Sequence, residues 1–292
     1  MVELFSSCSN AGRWGEDDEL GTLNFITDAK RVNAATLVRS GTVVAVGREL
    51  RADLEEDGLR PASHHVLFDQ CDPVSALDFV GVAAHGFSVT HLDAVAHVSW
   101  DGQVYNGRRL DQVLTRHGLL FGSMHAQRQG IFTRGVLLDV AAARGVLALA
   151  PHDVVTRADL ERAEEIATLR VESGDAVFVH VGLERREERP GVGGAVERAG
   201  LDADCVRWLH EREVSVYSGD CVEKMPYPSD RVPLPLHQVG LVAMGLCLLD
   251  CPKMTELVRV CRSVDRSEFL LTCAPLDFVG ATGLPVNPLC IF

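Results

Sequence analysis

Short β-branched runs that alternate with amphipathic stretches predict an α/β layered fold. Runs of strand length stand at Thr42 to Val46, Gly135 to Val140, Ala176 to Val181, Val214 to Tyr217 and Phe269 to Ala274. Helix-forming stretches lie between them, over Thr27 to Arg39, from Thr156 to about Val171 and over Asp202 to Glu211. No internal repeat and no linker divides the chain, so residues 1–292 read as a single domain with a loosely held N-terminal arm over residues 1–13.

Each element has a local cause. Residues 14–27 carry turn signals at Gly15 and Gly21 and an acidic run, Glu16 to Glu19, that reads as a solvated face. Thr27 is the N-cap candidate of the first helix, Ala34, Ala35, Leu37 and Val38 are its apolar positions, and Gly41 stands just past its end. Residues 61–73 hold His64, His65 and Asp69; neighbours on an extended chain face opposite sides, so both histidines read as surface or substrate-lid residues. Gly118 to Gly130, with Phe121, Met124 and His125, reads as a loop or lid over a pocket.

Thr156 and Asp159 have capping-box spacing, Leu160, Ala163, Ile166, Ala167 and Leu169 give the helix an apolar side, and Gly174 stops it. His180 interrupts an apolar strand, where it either reaches a cavity or meets a backbone acceptor, and the structural reading is the favoured one. Glu184 to Gly194 is charged, then rich in Gly and Pro, which marks an exposed loop; its GVGG lacks a dinucleotide fingerprint, so no nucleotide cofactor is expected. Pro226 to Pro235 must run extended, delivering His237 to an apolar run, Val239 to Leu249, that reads as a buried helix closed by Asp250. The apolar tail through Phe292 is expected to pack on the body or on a neighbouring subunit.

Composition narrows the function classes. A net charge of −13 repels phosphate backbones and anionic headgroups, which argues against nucleic acid and membrane partners. No basic segment precedes an apolar stretch at the N-terminus, and the Val239 to Leu249 run falls far short of the roughly 20 residues that span a bilayer. A cytoplasmic protein is expected. Nine scattered cysteines without a CxxC pair read as reduced core residues, Cys221 being the one that a strand end could bring to a cavity.

Chemistry concentrates in HGFSVTHLDAVAHVSWDGQVYNG, residues 85–107, where His85, His91, Asp93, His97 and Asp101 crowd together. If Thr90 to Ala94 is extended, His91 and Asp93 leave the same face of the strand. His97 lies four residues beyond Asp93, so a helical turn starting at Ala94 returns it beside the carboxylate. Zn²⁺ or Mn²⁺ accepts imidazole nitrogen with carboxylate oxygen, and a further histidine can carry protons because its unperturbed pKa lies near neutrality. Phe87, Trp100 and Tyr105 of the same stretch are the candidate substrate-binding residues.

The segment THLDAVAH followed by WDGQVYNG resembles the signature of the metal-dependent cyclase family, the group of bacterial kynurenine formamidase, isatin hydrolase and certain polyketide cyclases. WGEDDELGTLNFIT, RGVLLDVAAARG, the SGD at 218–220, PLHQVGL and APLDFVGATGLPVNP resemble segments of its longer members in the same order. The resemblance implies a swivelling β/α/β fold with a mixed central sheet. It further implies metal-ligand roles for His91, Asp93, His237 and Asp250, and an acid/base role for His97. Two departures stand out: Phe87 occupies a position where the formamidase pattern has a ligand histidine, for which His85 is the possible substitute, and Asp250 replaces a usual glutamate.

Together these readings lead to a metal-dependent hydrolase of an amide, cyclic amide or lactone, arylformamidase-like, using metal-activated water. No G-x-S-x-G nucleophile elbow is present. The alternative is a cyclase or dehydratase acting on a polyketide-like chain, which Phe87 favours because losing a ligand harms metal-water chemistry more than acid/base chemistry. A non-catalytic binding protein is the third reading. The expected partners are a small-molecule substrate and further copies of the chain in a homo-oligomer.

Overall fold

Nine strands form one mixed sheet in the computed structural model, which describes residues 1–53, 62–69, 75–186 and 197–292. In chain order they are β1 (Val43–Ala45), β2 (His91–Asp93), β3 (Ile131–Asp139), β4 (Ala176–His180), β5 (Val216–Gly219), β6 (Cys247–Asp250), β7 (Glu268–Cys273), β8 (Gly283–Pro285) and β9 (Leu289–Ile291). Across the sheet they run β1-β9-β7-β3-β4-β5-β6-β2-β8. The central strands β3, β4, β5 and β6 are parallel, and both flanks are antiparallel.

Both faces of the parallel strands are covered, which is why they read as near-continuous apolar runs. Along β4, Val177 and Val179 enter one apolar layer with Leu160, Trp208, Leu209 and Val239. Ala176 and Phe178 enter the other with Leu257, Cys261, Phe269 and Phe292. The first layer is closed by helices α1 (Arg157–Ala167) and α2 (Ala203–Glu211), and the second by α3 (Thr255–Ser263).

Several expectations are corrected. The N-terminal arm is not loose: Val2–Ser7 is helical, Leu4 and Cys8 enter the first apolar layer, and Asn10 Nδ2 donates to the Met244 carbonyl at 3.0 Å. The acidic run divides. Glu16 and Asp17 are exposed, whereas Asp18 accepts from Gly21 N, Asn24 Nδ2 and the Tyr105 hydroxyl, and Glu19 accepts from Gly122 N. Asp18 points inward because its own turn leaves the Gly21 N–H in need of an acceptor, whereas Glu19 meets the N–H of the distant Gly122. The first helix, Asp28–Ala35, has Thr27 as its N-cap but ends short of Arg39.

Residues 62–69 and 75–82 pair as an antiparallel hairpin, with His64 opposite Val80 and His65 opposite Phe79. Both histidines are exposed, as a surface role requires. Cys71 and most of the Glu184 to Gly194 loop lie outside the described residues; the other eight cysteines are all free. Met124 is fully buried in the second layer, so this part of the expected lid belongs to the core.

The largest correction concerns Val239 to Leu249. The run is not one helix: Gln238–Met244 is π-helical and Cys247–Asp250 is strand β6. Gly245 makes the break, at φ 62° and ψ 34°, in the left-handed region that only glycine adopts without cost. A Cβ there would also stand 2.7 Å from the Tyr105 ring. Apolarity alone cannot separate a buried helix from a buried strand.

The capping box at Thr156 is present. Asp159 Oδ2 accepts from Thr156 N and from its hydroxyl, each at 2.7 Å, and Arg144 binds both carboxylate oxygens. Burial alone would raise the Asp159 pKa, but Arg144 and Thr156 outweigh it and hold the group at about 2. A depressed pKa contributes stability that is complete above the unfolded value and is lost as pH falls through 2. Replacing Asp159 with Ala should therefore cost about 1 kcal/mol at pH 7, a difference that shrinks as the pH drops towards 2. Denaturant titrations of both proteins at several pH values would reveal a pH-independent gap if the carboxylate charge plays no part.

Candidate metal centre

Strand β2 has only three residues, all buried, and lies between β6 and β8. Leu92 enters the second apolar layer, so His91 and Asp93 leave the opposite face together. Asp250 stands directly across from His91 on β6, and Gly283 across from Asp93 on β8. The helical turn Pro235–His237 brings His237 over the same face, its Nε2 3.2 Å from Asp250 Oδ2 and 3.9 Å from Asp93 Oδ2. The break at Gly245 decides this meeting, because a continuous helix would have rotated Asp250 away from His237.

His85 arrives from the segment before β2. Its Nδ1 lies 3.1 Å from Asp93 Oδ1, its Nε2 is 3.1 Å from the Thr282 hydroxyl, and its ring stacks on His97 at 3.7 Å. Gly283 leaves room for that ring, since a Cβ at this position would stand 2.4 Å from His85 Cε1. Two groups of ligand type thus share Asp93: His85, His91 and Asp93 on one side, and Asp93, His237 and Asp250 on the other.

Neighbouring acceptors fix both strongly buried imidazoles. His91 Nδ1 lies 2.8 Å from the Val89 carbonyl, which leaves Nε2 towards Asp93 Oδ1 at 3.5 Å. His237 Nδ1 lies 3.0 Å from both oxygens of Glu223, and the same carboxylate accepts from the backbone N–H groups of Leu236 and His237. Glu223 therefore caps the helical turn and aims Nε2 at the cluster. The Gln127 side chain holds the Asp93 carbonyl at 2.9 Å. Sequence reasoning passed over Glu223, Gln127 and Thr282. Glu223 alone left a trace, three residues after the SGD, but nothing in spacing ties it to a histidine fourteen residues on.

The electrostatics are those of a site short of positive charge. Among the described residues, Asp93, Asp250 and Glu223 pair with histidines and with no Lys or Arg. Both Asp93 oxygens and Asp250 Oδ1 are buried without a hydrogen bond. Burial would raise Asp93, but the imidazoles of His85, His97, His91 and His237 hold it below the usual carboxylate range. Burial opposes charge on His237 as well, yet Glu223 and Asp250 push its pKa well above the ordinary value. Burial drives His97 down to about 4 against the pull of Asp93, so its imidazole is neutral at neutral pH.

Orphaned buried oxygens beside imidazole nitrogens, with no thiolate among them, fit a divalent cation of intermediate hardness. His97 belongs to neither ligand group; the turn at Ala94, closed by the His97 N–H on the Ala94 carbonyl, sets its ring against His85.

The remaining candidates lie elsewhere. Asp101 is exposed in a turn, and His180 is buried against Asp139 at 2.8 Å. Tyr105, expected at the substrate, is fully buried with its hydroxyl on Asp18, so it fastens the N-terminal segment instead. Trp100 stacks on Phe5 at 3.8 Å with Arg231 over its ring. Phe87 does not occupy the cluster; it packs on the first apolar layer beneath the Arg198 guanidinium.

Comparisons with known proteins identify the family and the fold. The Cyclase family model matches residues 56–223. A crystal structure described as a novel cyclase is 25% identical, with a TM-score of 0.86 over 97% of this chain and 99% of its own. Isatin hydrolase A from Labrenzia aggregata, bound to benzyl benzoate, is 18% identical with a TM-score of 0.62, covering 88% of this chain and 94% of its own. A potential metal-dependent hydrolase with cyclase activity is 15% identical with a TM-score of 0.53, over 86% and 98%. The last two share the fold. No curated protein matches the sequence.

Two substitutions test the geometry by metal competition against a chromophoric chelator. Glu223→Gln should weaken affinity about 10- to 100-fold by releasing the His237 ring. Gly283→Ala should weaken it to the extent that His85→Ala does, because the new methyl and the ring cannot share one space; full affinity in the glycine variant would remove His85 from the site.

Proposed function

Because the chain belongs to the Cyclase family, by a family match over residues 56–223, we propose that it is a metal-dependent hydrolase of an amide, cyclic amide or lactone, arylformamidase-like in its chemistry. The observation that carries this reading is the buried Asp93, whose two orphaned oxygens are shared by two groups of imidazole and carboxylate ligands. His91, Asp93, His237 and Asp250 would hold the cation, Zn²⁺ or Mn²⁺ by donor type, with His85 as a further nitrogen. Such an ion supplies a Lewis acid for the scissile carbonyl and lowers the pKa of water towards neutrality.

The chain's own groups do the rest. Glu223 and the Val89 carbonyl keep His237 and His91 in the tautomers that present Nε2 to the cluster. His97, neutral and stacked on His85, takes a proton from the attacking water and delivers it to the departing nitrogen or oxygen. The apolar first layer behind the site excludes water from the carboxylates, which strengthens each electrostatic contact there.

The cyclase or dehydratase reading leaned on Phe87 in place of an imidazole. With the His85 ring in contact with Asp93, the number of imidazoles at the cluster no longer favours it. In the absence of helix rotation to separate them, Asp250 and His237 are partners, but Asp250 has one orphaned oxygen where Asp93 has two. Asp93 is the stronger ligand on that ground.

His97→Ala should keep nearly full metal content by elemental analysis and lose roughly 10²- to 10⁴-fold in turnover of an aryl formamide such as formanilide. Stoichiometric metal loss would make His97 a ligand, and unchanged turnover would make it structural. Asp93→Ala should lose more metal affinity than Asp250→Ala; the reverse order in the same competition assay would refute the ranking.

A further inference from the structure

Among the described residues, no part of the hairpin formed by residues 62–69 and 75–82 enters either apolar layer. Ala62 is buried at its root and Gly81 and Val82 are half-buried there, but from Ser63 to Phe68 and from Ser75 to Val80 every residue is exposed. The two strands pair over their whole length, so alternate side chains leave opposite faces of the ribbon. Val66, Phe68 and Val80 leave one face and Leu67, Leu77 and Phe79 the other, with exposures from 43% at Val66 to 73% at Phe68. A ribbon lying on its own body would hide one of these sets, and here neither is covered. A lone two-stranded hairpin is marginal in water, so a ribbon of this length needs a surface to lie against.

The exposed area is what a dimer needs. At roughly 100 Å² left outside per side chain of this size, one ribbon presents about 600 Å² and two ribbons about 1,200 Å², the lower bound of a stable specific interface. Charge decides which partner fits. The net charge is −13 and 24% of the residues are charged, so copies of the chain repel one another over most of their surface. The ribbon has no Lys, Arg or Glu, and of its two carboxylates, Asp69 and Asp78, the latter meets His64 Nε2 at 2.6 Å. A foreign partner steered by charge would be basic and would dock on the acidic remainder, whereas a second copy approaches where charge is scarce. A two-fold axis presents the same ribbon twice, so a face that is apolar on one copy meets an apolar face on the other.

We propose that the ribbon of residues 62–82 is the self-association surface of this protein: two copies join about a two-fold axis, each ribbon covered on one face by the partner's ribbon and on the other by the partner's body. Assembly through the ribbon is independent of the bond that the metal centre cleaves.

Sedimentation equilibrium of the whole chain at micromolar concentration should give twice the mass of one copy. Phe79→Asp on one face and Phe68→Asp on the other should each weaken the dimer at least about 100-fold, because each would bury an unpaired carboxylate in the contact. Both positions lie outside the apolar layers, so the far-ultraviolet circular dichroism of the body should be unchanged. Should an aspartate unravel the ribbon, Phe68→Thr and Phe79→Thr keep strand propensity and should still weaken the dimer about tenfold or more. A wild-type chain that stays monomeric at micromolar concentration would overturn the proposal, and so would a dimer whose dissociation constant is the same in all four variants. A one-to-one complex with an unlike protein in place of the dimer would give the ribbon a different occupant and overturn it as well. So would a monomer that sediments with phosphatidylcholine vesicles and ceases to do so in Phe68→Asp.

Discussion

Asp93 has no solvent exposure and no hydrogen bond to either carboxylate oxygen, although four imidazoles surround it. An isolated buried charge of that kind is unfavourable by several kcal/mol even after the surroundings relax. Glu223 and Asp250 push the His237 pKa well above the ordinary value, while burial drives His97 down to about 4. Three carboxylates have no Lys or Arg partner among the described residues, a balance that a divalent cation would restore.

The architecture satisfies it with short elements. Strand β2 contributes two ligand-type side chains in three residues, and its position between two antiparallel partners sets Asp250 and Gly283 opposite them. A glycine at 283 then serves as empty space, admitting an imidazole from a segment six residues upstream of His91. Gly245 does the complementary work in the backbone, ending one element and starting another so that His237 and Asp250 face each other. Around this, Asp18, Glu19 and Tyr105 tie the N-terminal segment to residues that follow β2. Asp18 and Glu19, which look solvated in a linear reading, thus accept from backbone N–H groups.

Much of this was legible in one dimension. Alternation at spacing two puts His91 and Asp93 on one face whatever the sheet, and buried parallel strands must be apolar throughout, so the α/β class and the pair at the centre of the site were both readable. The capping box at Thr156 is equally local, since its donors and acceptors lie within one turn. What local pattern could not decide was anything that depends on a partner far along the chain. Helix and strand are equally compatible with the apolar run after His237, and only contacts around Gly245 choose between them. The roles of Glu223, Thr282 and Gly283 likewise exist only once β5, β8 and the turn at His237 are brought together. Periodicity reports which side of an element is buried; the identity of the group it meets there is set by tertiary packing.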